Sequence, residues 1–261
     1  LVAASVAVIC CGIMMTKCLI EGIKARMQIH STYGIDLGTS TVKIYDFKKD
    51  TITKEKNMIA IRNKEQLLAV GNDAYEMHER TPSNIEIITP MANGRIANVL
   101  MVEAVLHTLL SRCGSRIGYR PELYFSAPPG MTEIEKRAYY TIAHRGRLKN
   151  CRMYLVDKPI ADALALGIPI NKTKGSMIVN IGAQSTEISV IADARVIFSK
   201  LIPIGGRQFN EAISFLNSRK NNFLIGSKTA KRLKIAMADL ENDKKEARKV
   251  RGVMFVGWLS V

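Results

Sequence analysis

The stretches YGIDLGTST (residues 33–41) and IVNIGAQST (residues 178–186) follow one pattern. In each, apolar residues flank an Asp or Asn, a glycine follows, and small polar and hydroxyl residues complete the stretch. This order predicts two β-strands joined by a tight turn. Glycine in the turn permits positive φ and lets a ligand approach the backbone, whose successive N–H groups can bind an anion. Because the stretches lie far apart in the chain, they predict two related halves that face one phosphate-bearing ligand.

Strands and helices alternate along the rest of the chain. Apolar runs predict strands at residues 33–37, 41–47, 58–61, 67–70, 122–127, 153–156, 176–181, 186–191 and 195–203. Periodic apolar residues with capping signals predict helices at residues 99–112, 132–145, 159–166, 208–216 and 227–240. We therefore predict an α/β fold with mixed sheets. The hairpin at the start of each half argues against a purely parallel Rossmann sheet.

Composition indicates a packed globular protein. The chain has 261 residues, 47% of them hydrophobic and 23% charged, which is enough for one large or two small domains. Its formal charge of +15 is compatible with nucleic acid, an anionic membrane surface or an anionic ligand. Much of this charge falls at helical spacing in residues 228–234 and 244–251 without interleaved aromatic residues, so we expect solvated helix faces and no nucleic-acid partner. The cysteines show no CxxC spacing, which fits a reducing cytoplasm.

Residues 1–26 form an apolar leader that differs from the rest of the chain. Residues 1–16 carry no charge, and Lys17 then interrupts a stretch that is marginal for a membrane span, which needs about 20 apolar residues. Two interpretations remain, a weak membrane anchor and sequence upstream of a true start at Met27. We favour the second, because Met27 lies just before the first predicted strand.

The residues around the two turn glycines are suited to a polyphosphate. Side-chain hydroxyl groups add hydrogen-bond donors to those of the backbone. These hydroxyl groups belong to Thr39, Ser40, Thr41, Ser185 and Thr186. Asp36 is placed to hold Mg²⁺ through water, which would offset phosphate charge. One such turn is common in hairpins, but the ordered pair favours phosphate binding over two unrelated hairpins.

Five segments resemble the actin-like ATPase superfamily, which includes actin, the ATPase domains of heat-shock chaperones and sugar kinases. The segments are YGIDLGT (33–39), PMANGRIA (90–97), TEIEKRA (132–138), GSMIVNIG (175–182) and LIGSKTA (224–230). They resemble the first phosphate motif, a Pro-x-x-x-Gly-x-Ile-Ala segment, the helix after it, the second phosphate motif and the segment before a nucleotide-contacting helix. Within the superfamily, the chain most resembles the MreB family of bacterial actin homologues, over about residues 33–251.

The resemblance implies an actin-like fold of two ribonuclease-H-like halves with mixed sheets. The first half would span residues 27–174 with a small inserted subdomain, and residues 175–261 would form an incomplete second half. Implied ligands are ATP and Mg²⁺. Implied partners are further copies of the chain in a filament, the inner face of the cytoplasmic membrane and the cell-wall elongation machinery. The implied nucleotide contacts are Asp36, Gly38, Thr39, Ser40, Thr41, Asn180, Gly182, Ala183, Gln184, Ser185 and Thr186, with Lys231, Arg232, Leu233 and Lys234 near the nucleoside.

Three positions depart from the family pattern. Asn180 stands where the family has Asp, and so brings no charge. Ala183 and Gln184 replace glycines, so positive φ there would be unfavourable by about 1 kcal/mol per residue. Lys158 stands where the family has the Glu that orients the attacking water, and a charged lysine has no acceptor for that water. No intact catalytic residue remains, which favours binding over turnover.

Three functional hypotheses follow. The first is an MreB-like rod-shape-determining cytoskeletal protein that binds ATP and forms filaments, with weak or absent hydrolysis. The alternative is a remnant or scaffold of the same fold that binds no nucleotide; residues 252–261, which do not resemble the family, favour a truncated or frame-disrupted copy. The third, a sugar or acetate kinase, needs a catalytic carboxylate base and a complete second half, and neither is evident.

Overall fold

The computed structural model describes residues 31–63, 65–78, 81–113, 120–171, 174–238 and 247–254. The strands in these ranges are β1 (Thr32–Leu37), β2 (Thr41–Asp46), β3 (Thr51–Lys56), β4 (Ile59–Arg62), β5 (Gln66–Val70), β6 (Ile85–Ile88), β7 (Met91–Ala92), β8 (Arg95–Ile96), β9 (Glu122–Ala127), β10 (Arg152–Asp157), β11 (Ser176–Ile181), β12 (Thr186–Ala192), β13 (Arg195–Ile202), β14 (Phe223–Leu224) and β15 (Val253–Met254). The helices are α1 (Asn72–Met77), α2 (Val99–Arg112), α3 (Glu133–Ala143), α4 (Lys158–Ala165), α5 (Gly206–Asn221) and α6 (Ser227–Met237), with a 3₁₀ turn at Gly146–Leu148. The apolar leader at residues 1–26 and the end of the chain at residues 255–261 lie outside the described residues. Within the described ranges, no helix combines the length and apolar character needed to cross a membrane.

The largest sheet is mixed, as predicted, with the strand order β10-β9-β1-β2-β3. Strands β1, β2 and β3 form an antiparallel meander, while β9 and β10 add to the other side of β1 in parallel. Leu37 pairs with Val42 beside the connection between β1 and β2. We call residues 38–40 of this connection the first turn. It therefore projects from the end of the most central strands.

The main hydrophobic core packs against the strands that carry the first turn. Ile35 and Ile44 of the sheet and Leu106 and Leu109 of α2 are at most 2% exposed and belong to one cluster. Period-two alternation places Ile35 on the same face as Tyr33, and helical spacing stacks the leucines of α2 against it. Such close packing gives the first turn a rigid base.

Capping residues set the start of two helices. The side chain of Asn98 accepts a hydrogen bond from the Met101 amide at the start of α2. At α3, the Thr132 side chain accepts from the Glu135 amide and the Glu135 carboxylate accepts from the Thr132 amide. The order Thr-Glu-Ile-Glu at residues 132–135 is the sequence pattern of this capping box.

Two small β units lie beside the main sheet. Strands β4, β5 and β6 form a separate sheet in the order β5-β4-β6, in the region predicted to hold the small insertion. Strands β7 and β8 form a hairpin whose tip, Asn93-Gly94, has positive φ at both residues, 49° and 77°. Positive φ at both positions is the geometry that Asn-Gly favours in two-residue hairpins. We call residues 93–94 the Asn-Gly tip.

The second half is built on the antiparallel sheet β11-β12-β13. One face of this sheet packs on α4, where Ala163, Ile178 and Ile191 form a small core. The opposite face carries Met177 and Val179, which are 68% and 49% exposed. Successive residues of a strand point to opposite faces, so this second face is apolar and exposed to solvent in the described part of the chain. The connection between β11 and β12, residues 182–185, is the second turn.

Helix α5 is longer than predicted. The prediction ended it near Leu216, but it continues to Asn221 and ends where Asn222 takes the left-handed conformation, with φ of 49°. Asparagine tolerates this conformation and commonly ends helices there. The last turn is polar and mostly exposed, so apolar periodicity could not reveal it.

We predict that Leu106→Ala destabilises the protein by about 2–5 kcal/mol, because it leaves a cavity in the main core. Leu100→Ala on the same helix is the control, because Leu100 is 63% exposed whereas Leu106 is fully buried. The control should change stability by less than about 0.5 kcal/mol. Urea unfolding followed by circular dichroism measures both, and equal losses would contradict the packing described for α2.

Candidate functional site

The two turns line one cavity. It has a volume of about 250 Å³ and lies between the first and second turns. The predicted site residues that line it are Asp36, Gly38, Thr39, Ser40 and Thr41 from the first half, and Asn180, Gly182, Ala183 and Ser185 from the second. Two stretches that are distant in sequence therefore form opposite walls of one site.

Each turn needs glycine for the same reason. A Cβ atom on Gly38 would lie 2.7 Å from the carbonyl oxygen of Thr41, and one on Gly182 would lie 2.8 Å from that of Ser185. Neither glycine adopts positive φ, so that part of the prediction is wrong: the chain's own close approach requires them. Ala183 and Gln184 also avoid positive φ, so the unfavourable energy expected for positive φ at these positions does not arise.

The floor of the cavity holds a buried carboxylate between two lysines. Asp36 accepts a hydrogen bond from Lys43 Nζ on Oδ2 at 2.7 Å and from Lys158 Nζ on Oδ1 at 2.9 Å. Ser126 Oγ donates to Oδ1 at 3.1 Å. Burial acts to raise the pKa of Asp36, but the positive charges of Lys158 and Lys43 outweigh it and hold the pKa well below its usual value. Asp36 is therefore ionised throughout the physiological range. We call Asp36, Lys43 and Lys158 the lysine–aspartate triad.

Hydrogen-bonding side chains of the second half, together with Asp162 of α4, lie across the cavity. Asn180 Nδ2 donates to Asp162 Oδ2 at 2.7 Å, and Glu187 accepts from Ser199 Oγ at 3.1 Å. Asp162 is 5% exposed, and burial raises its pKa to about 6, with the charge of Lys158 acting in the opposite direction. Burial also raises the pKa of Glu187. This wall thus carries carboxyl groups that gain protons more readily than usual.

The Asn-Gly tip connects the two turns. The Asn93 amide donates to Gln184 Oε1 at 3.0 Å, and the Gly94 amide donates to Thr39 Oγ1 at 2.9 Å. One hairpin thus holds a side chain from each half. This pair of contacts sets the spacing between the first and second turns at one end of the cavity.

Comparison with known proteins shows which family the chain belongs to. The family model described as "MreB/Mbl protein" matches residues 30–259, so the prediction that residues 252–261 do not resemble the family is wrong for residues 252–259. The chain belongs to the MreB/Mbl family. The cell shape-determining protein MreB of Escherichia coli K12 is 34% identical over 218 residues, which cover 81% of this chain and 62% of that protein. The cell shape-determining protein Mbl of Bacillus subtilis 168 is 32% identical over 222 residues, covering 84% and 66%. The chain thus spans about 62% of the length of the first of these curated relatives.

Solved structures show the same fold. MreB5 of Spiroplasma citri bound to AMPPNP superposes with a TM-score of 0.75 at 26% identity, covering 84% of this chain and 66% of that one. The ADP-bound form gives a TM-score of 0.72 at 27% identity, covering 79% and 62%. The MamK double helical filament shares the fold at a TM-score of 0.64 and 17% identity. The predicted α/β actin-like fold is confirmed.

Two predicted phosphate contacts of this MreB/Mbl chain lie outside the cavity lining. Gln184 Oε1 accepts from the Asn93 amide, and Thr186 Oγ1 donates to the carbonyl of Ile204 at 2.7 Å. The structure therefore does not support the prediction that these two side chains face a phosphate. Thr186 begins β12, where strand alternation directs its hydroxyl away from the turn.

The predicted nucleoside contacts on α6 also lie outside the lining. These residues are Lys231, Arg232, Leu233 and Lys234. Lys234 Nζ donates to the Gly206 carbonyl at 2.7 Å, and the Gly206 amide donates to the Gly182 carbonyl at 2.9 Å. Helix α6 thus braces the second turn through the Gly206 backbone. Helix α6 packs on α5. That these residues lie near the nucleoside stays a prediction.

The sequence-based analysis missed Lys43, Asp162 and Glu187 as lining residues. Signals for all three were present. In each hairpin, the residue two positions before the turn glycine pairs across the strands with the residue seven positions later. Asp36 therefore pairs with Lys43, and Asn180 pairs with Glu187. Asp162 follows Lys158 by four residues, which places both on one face of α4.

The predicted role of Asp36 as a magnesium ligand does not fit the structure. Mg²⁺ in nucleotide sites is held by one or two carboxylates together with phosphates. Both oxygens of Asp36 already accept from ammonium groups, and a divalent cation beside them would be repelled. Within the described ranges, no three His, Cys, Asp or Glu side chains cluster to hold a metal ion.

We predict that Asp162→Asn stabilises the protein at pH 8 by about 1–3 kcal/mol and has little effect at pH 4. The folded-state pKa of Asp162 is about 6, above its ordinary 3.8. The folded protein must therefore bury a carboxylate above pH 6 that the unfolded chain keeps in water, so stability falls as pH rises from about 4 to above 6. Thermal unfolding at both pH values measures the difference.

Asp157→Asn is the matched control, because Asp157 is exposed and immediately precedes α4. It should shift the unfolding temperature equally at the two pH values. The same result for Asp162→Asn would show that its carboxyl group is not buried against the cavity.

Proposed function

We propose that this chain is an MreB-like cytoskeletal protein that binds ATP in the cavity between the two turns and assembles into filaments. The observation that carries the proposal is the pair of glycine-tightened turns on opposite walls of one cavity, with Lys43 and Lys158 in its floor. A polyphosphate needs close backbone approach and positive charge, and this site offers both. MreB5 of Spiroplasma citri, which has the same fold, binds ADP and AMPPNP.

Weak or absent hydrolysis is part of the proposal. Lys158, at the position where the family has its water-orienting Glu, donates to Asp36 and lines the cavity. An ammonium group has three donors and no acceptor, so it can bind a phosphate oxygen but cannot orient or deprotonate water. Asp157, the neighbouring carboxylate, is exposed and absent from the cavity lining, which supports the proposal that no other carboxylate replaces the family's Glu.

Filament formation and a role in cell shape follow from family membership. The curated relatives are named cell shape-determining proteins, and the MamK structure with the same fold is a double helical filament. We propose that the filaments lie on the cytoplasmic face of the membrane and act with the cell-wall elongation machinery. The formal charge of +15 is suited to an anionic membrane surface.

One observation supports the alternative hypothesis of a scaffold that binds no nucleotide. Lys228 of α6 donates to the carbonyls of Tyr75 and His78 in the small subdomain, at 3.1 and 2.8 Å. This contact joins the two halves without a ligand. The sugar or acetate kinase hypothesis is set aside, because the family match is to MreB/Mbl.

We predict that ATP raises the thermal unfolding temperature of the full chain and that Gly182→Ala removes this shift. Ligand that binds only the folded state stabilises it by mass action. A Cβ at Gly182 would lie 2.8 Å from the Ser185 carbonyl and so would change the shape of the second turn. Differential scanning fluorimetry with ATP measures the shift, and sedimentation with electron microscopy measures filaments.

Gly175→Ala is the matched control, because its Cβ would lie 3.4 Å from a Val190 side-chain atom, an ordinary contact. This variant should keep the ATP shift. If millimolar ATP leaves the unfolding temperature of the unmodified chain unchanged, nucleotide binding is wrong and the scaffold hypothesis replaces it.

A further inference from the structure

We infer that the cavity binds the polyphosphate without a divalent cation, because the lysine–aspartate triad and Lys54 supply the positive charge that Mg²⁺ would otherwise bring. The inference rests on the proposed function, since it concerns how the same site binds its nucleotide. Asp36 was predicted to hold a metal ion, but in the structure both of its carboxylate oxygens contact lysine ammonium groups. The inference follows from this disagreement.

The two lysines of the triad occupy the positions around the Asp36 carboxylate that a metal ion would need. Lys43 and Lys158 approach different oxygens of Asp36, at 2.7 and 2.9 Å, and all three residues line the cavity. The side chains are 8%, 25% and 12% exposed for Lys43, Lys158 and Asp36. A cation could reach Asp36 only by displacing an ammonium group from a largely buried ion pair. Breaking such a pair is strongly unfavourable.

The lysines retain capacity for an anion. Each ammonium group has three N–H donors, and the contact with Asp36 uses one of them. Two ammonium groups and one carboxylate leave the triad with a net positive charge. Phosphate oxygens entering the cavity can therefore accept from Lys43 and Lys158 while both stay paired with Asp36.

Strand register adds a third cation. Lys43 of β2 pairs with Lys54 of β3, so Asp36, Lys43 and Lys54 form one row across the sheet, and all line the cavity. Like charges directly opposite each other on neighbouring strands are destabilising. An anion against this row would relieve that repulsion, which a divalent cation would increase.

The wall across the cavity from β1, β2 and β3 determines the orientation of the polyphosphate. Glu187 of the second half and Asp162 of α4, which accepts a hydrogen bond from Asn180, bring carboxyl groups to this wall, and both line the cavity. Their negative charge would repel a phosphate, whereas the row on β1, β2 and β3 would attract it. The phosphates are therefore expected on the first-half side, where Ser40 and Thr41 add hydroxyl donors.

The test measures binding of fluorescently labelled ATP to the full chain, once with Mg²⁺ and once with EDTA. We expect dissociation constants that agree within about threefold, a difference below 1 kcal/mol. Lys43→Met should weaken binding by at least about tenfold under both conditions, as expected when a partner in a desolvated charge contact is removed. Lys48→Met, the same charge change at an exposed position between β2 and β3, should leave the dissociation constant unchanged.

Two further variants separate a lost contact from lost folding. Lys43→Arg keeps the positive charge and should retain binding within about threefold of the unmodified chain. Asp36→Asn removes the carboxylate that competes with phosphate for the lysines. If the lysines hold the phosphates, this variant should bind ATP more tightly in EDTA. If Asp36 holds a metal ion, the variant should lose ATP binding. Circular dichroism of each variant confirms that it is folded before its affinity is compared.

The outcomes are distinct. Equal affinity in Mg²⁺ and EDTA, with loss in Lys43→Met, supports the inference. Binding that needs Mg²⁺, or that Asp36→Asn abolishes in a folded protein, overturns the inference and leaves the proposed function standing. If neither condition gives binding, the proposed function fails, and the inference fails with it.

Discussion

The contact of Asp36 with Lys43 and Lys158 determines the character of the whole site. A carboxylate buried without partners would be strongly unfavourable, and two ammonium groups compensate for it here. The same contacts join the hairpin of β1 and β2 to the start of α4, which is distant from it in sequence. Replacing either lysine would leave charge uncompensated in the floor of the cavity. The triad therefore stabilises the fold and gives the floor of the cavity a net positive charge.

The two hairpins share one geometry and differ in charge. In both, the residue two positions before the turn glycine pairs with the residue seven positions later, and the glycine lies where the chain approaches itself closely. The first hairpin places Asp36 opposite Lys43, whereas the second places Asn180 opposite Glu187. One wall of the cavity is therefore cationic, and the other carries carboxyl groups with raised pKa values. Conserved backbone geometry with divergent side chains is compatible with a site that binds a nucleotide but turns it over poorly.

Local signals predicted the elements well, and long-range contacts explain the failures. The capping box at Thr132 and the strand at Glu122–Ala127 were predictable because their patterns lie within a few neighbouring residues. The true end of α5 was not, because its last turn is polar and its stop depends on the conformation of Asn222. Gln184 was assigned to a phosphate from its place in the turn, yet it contacts Asn93 on a hairpin far away in the sequence.

By itself the sequence determined the α/β class, the two glycine turns and the family resemblance, since each depends on short patterns of residue type along the chain. It also identified Lys158 as a position that cannot orient water, because the chemistry of lysine is independent of the fold. Only the tertiary structure decided that Asp36 also pairs with Lys158, that Asp162 lies beside Asn180, and that Lys234 of α6 donates to the Gly206 carbonyl. The physical reason is that hydrogen bonds and ion pairs form between groups within about 3 Å of one another, and sequence separation carries little information about such distances.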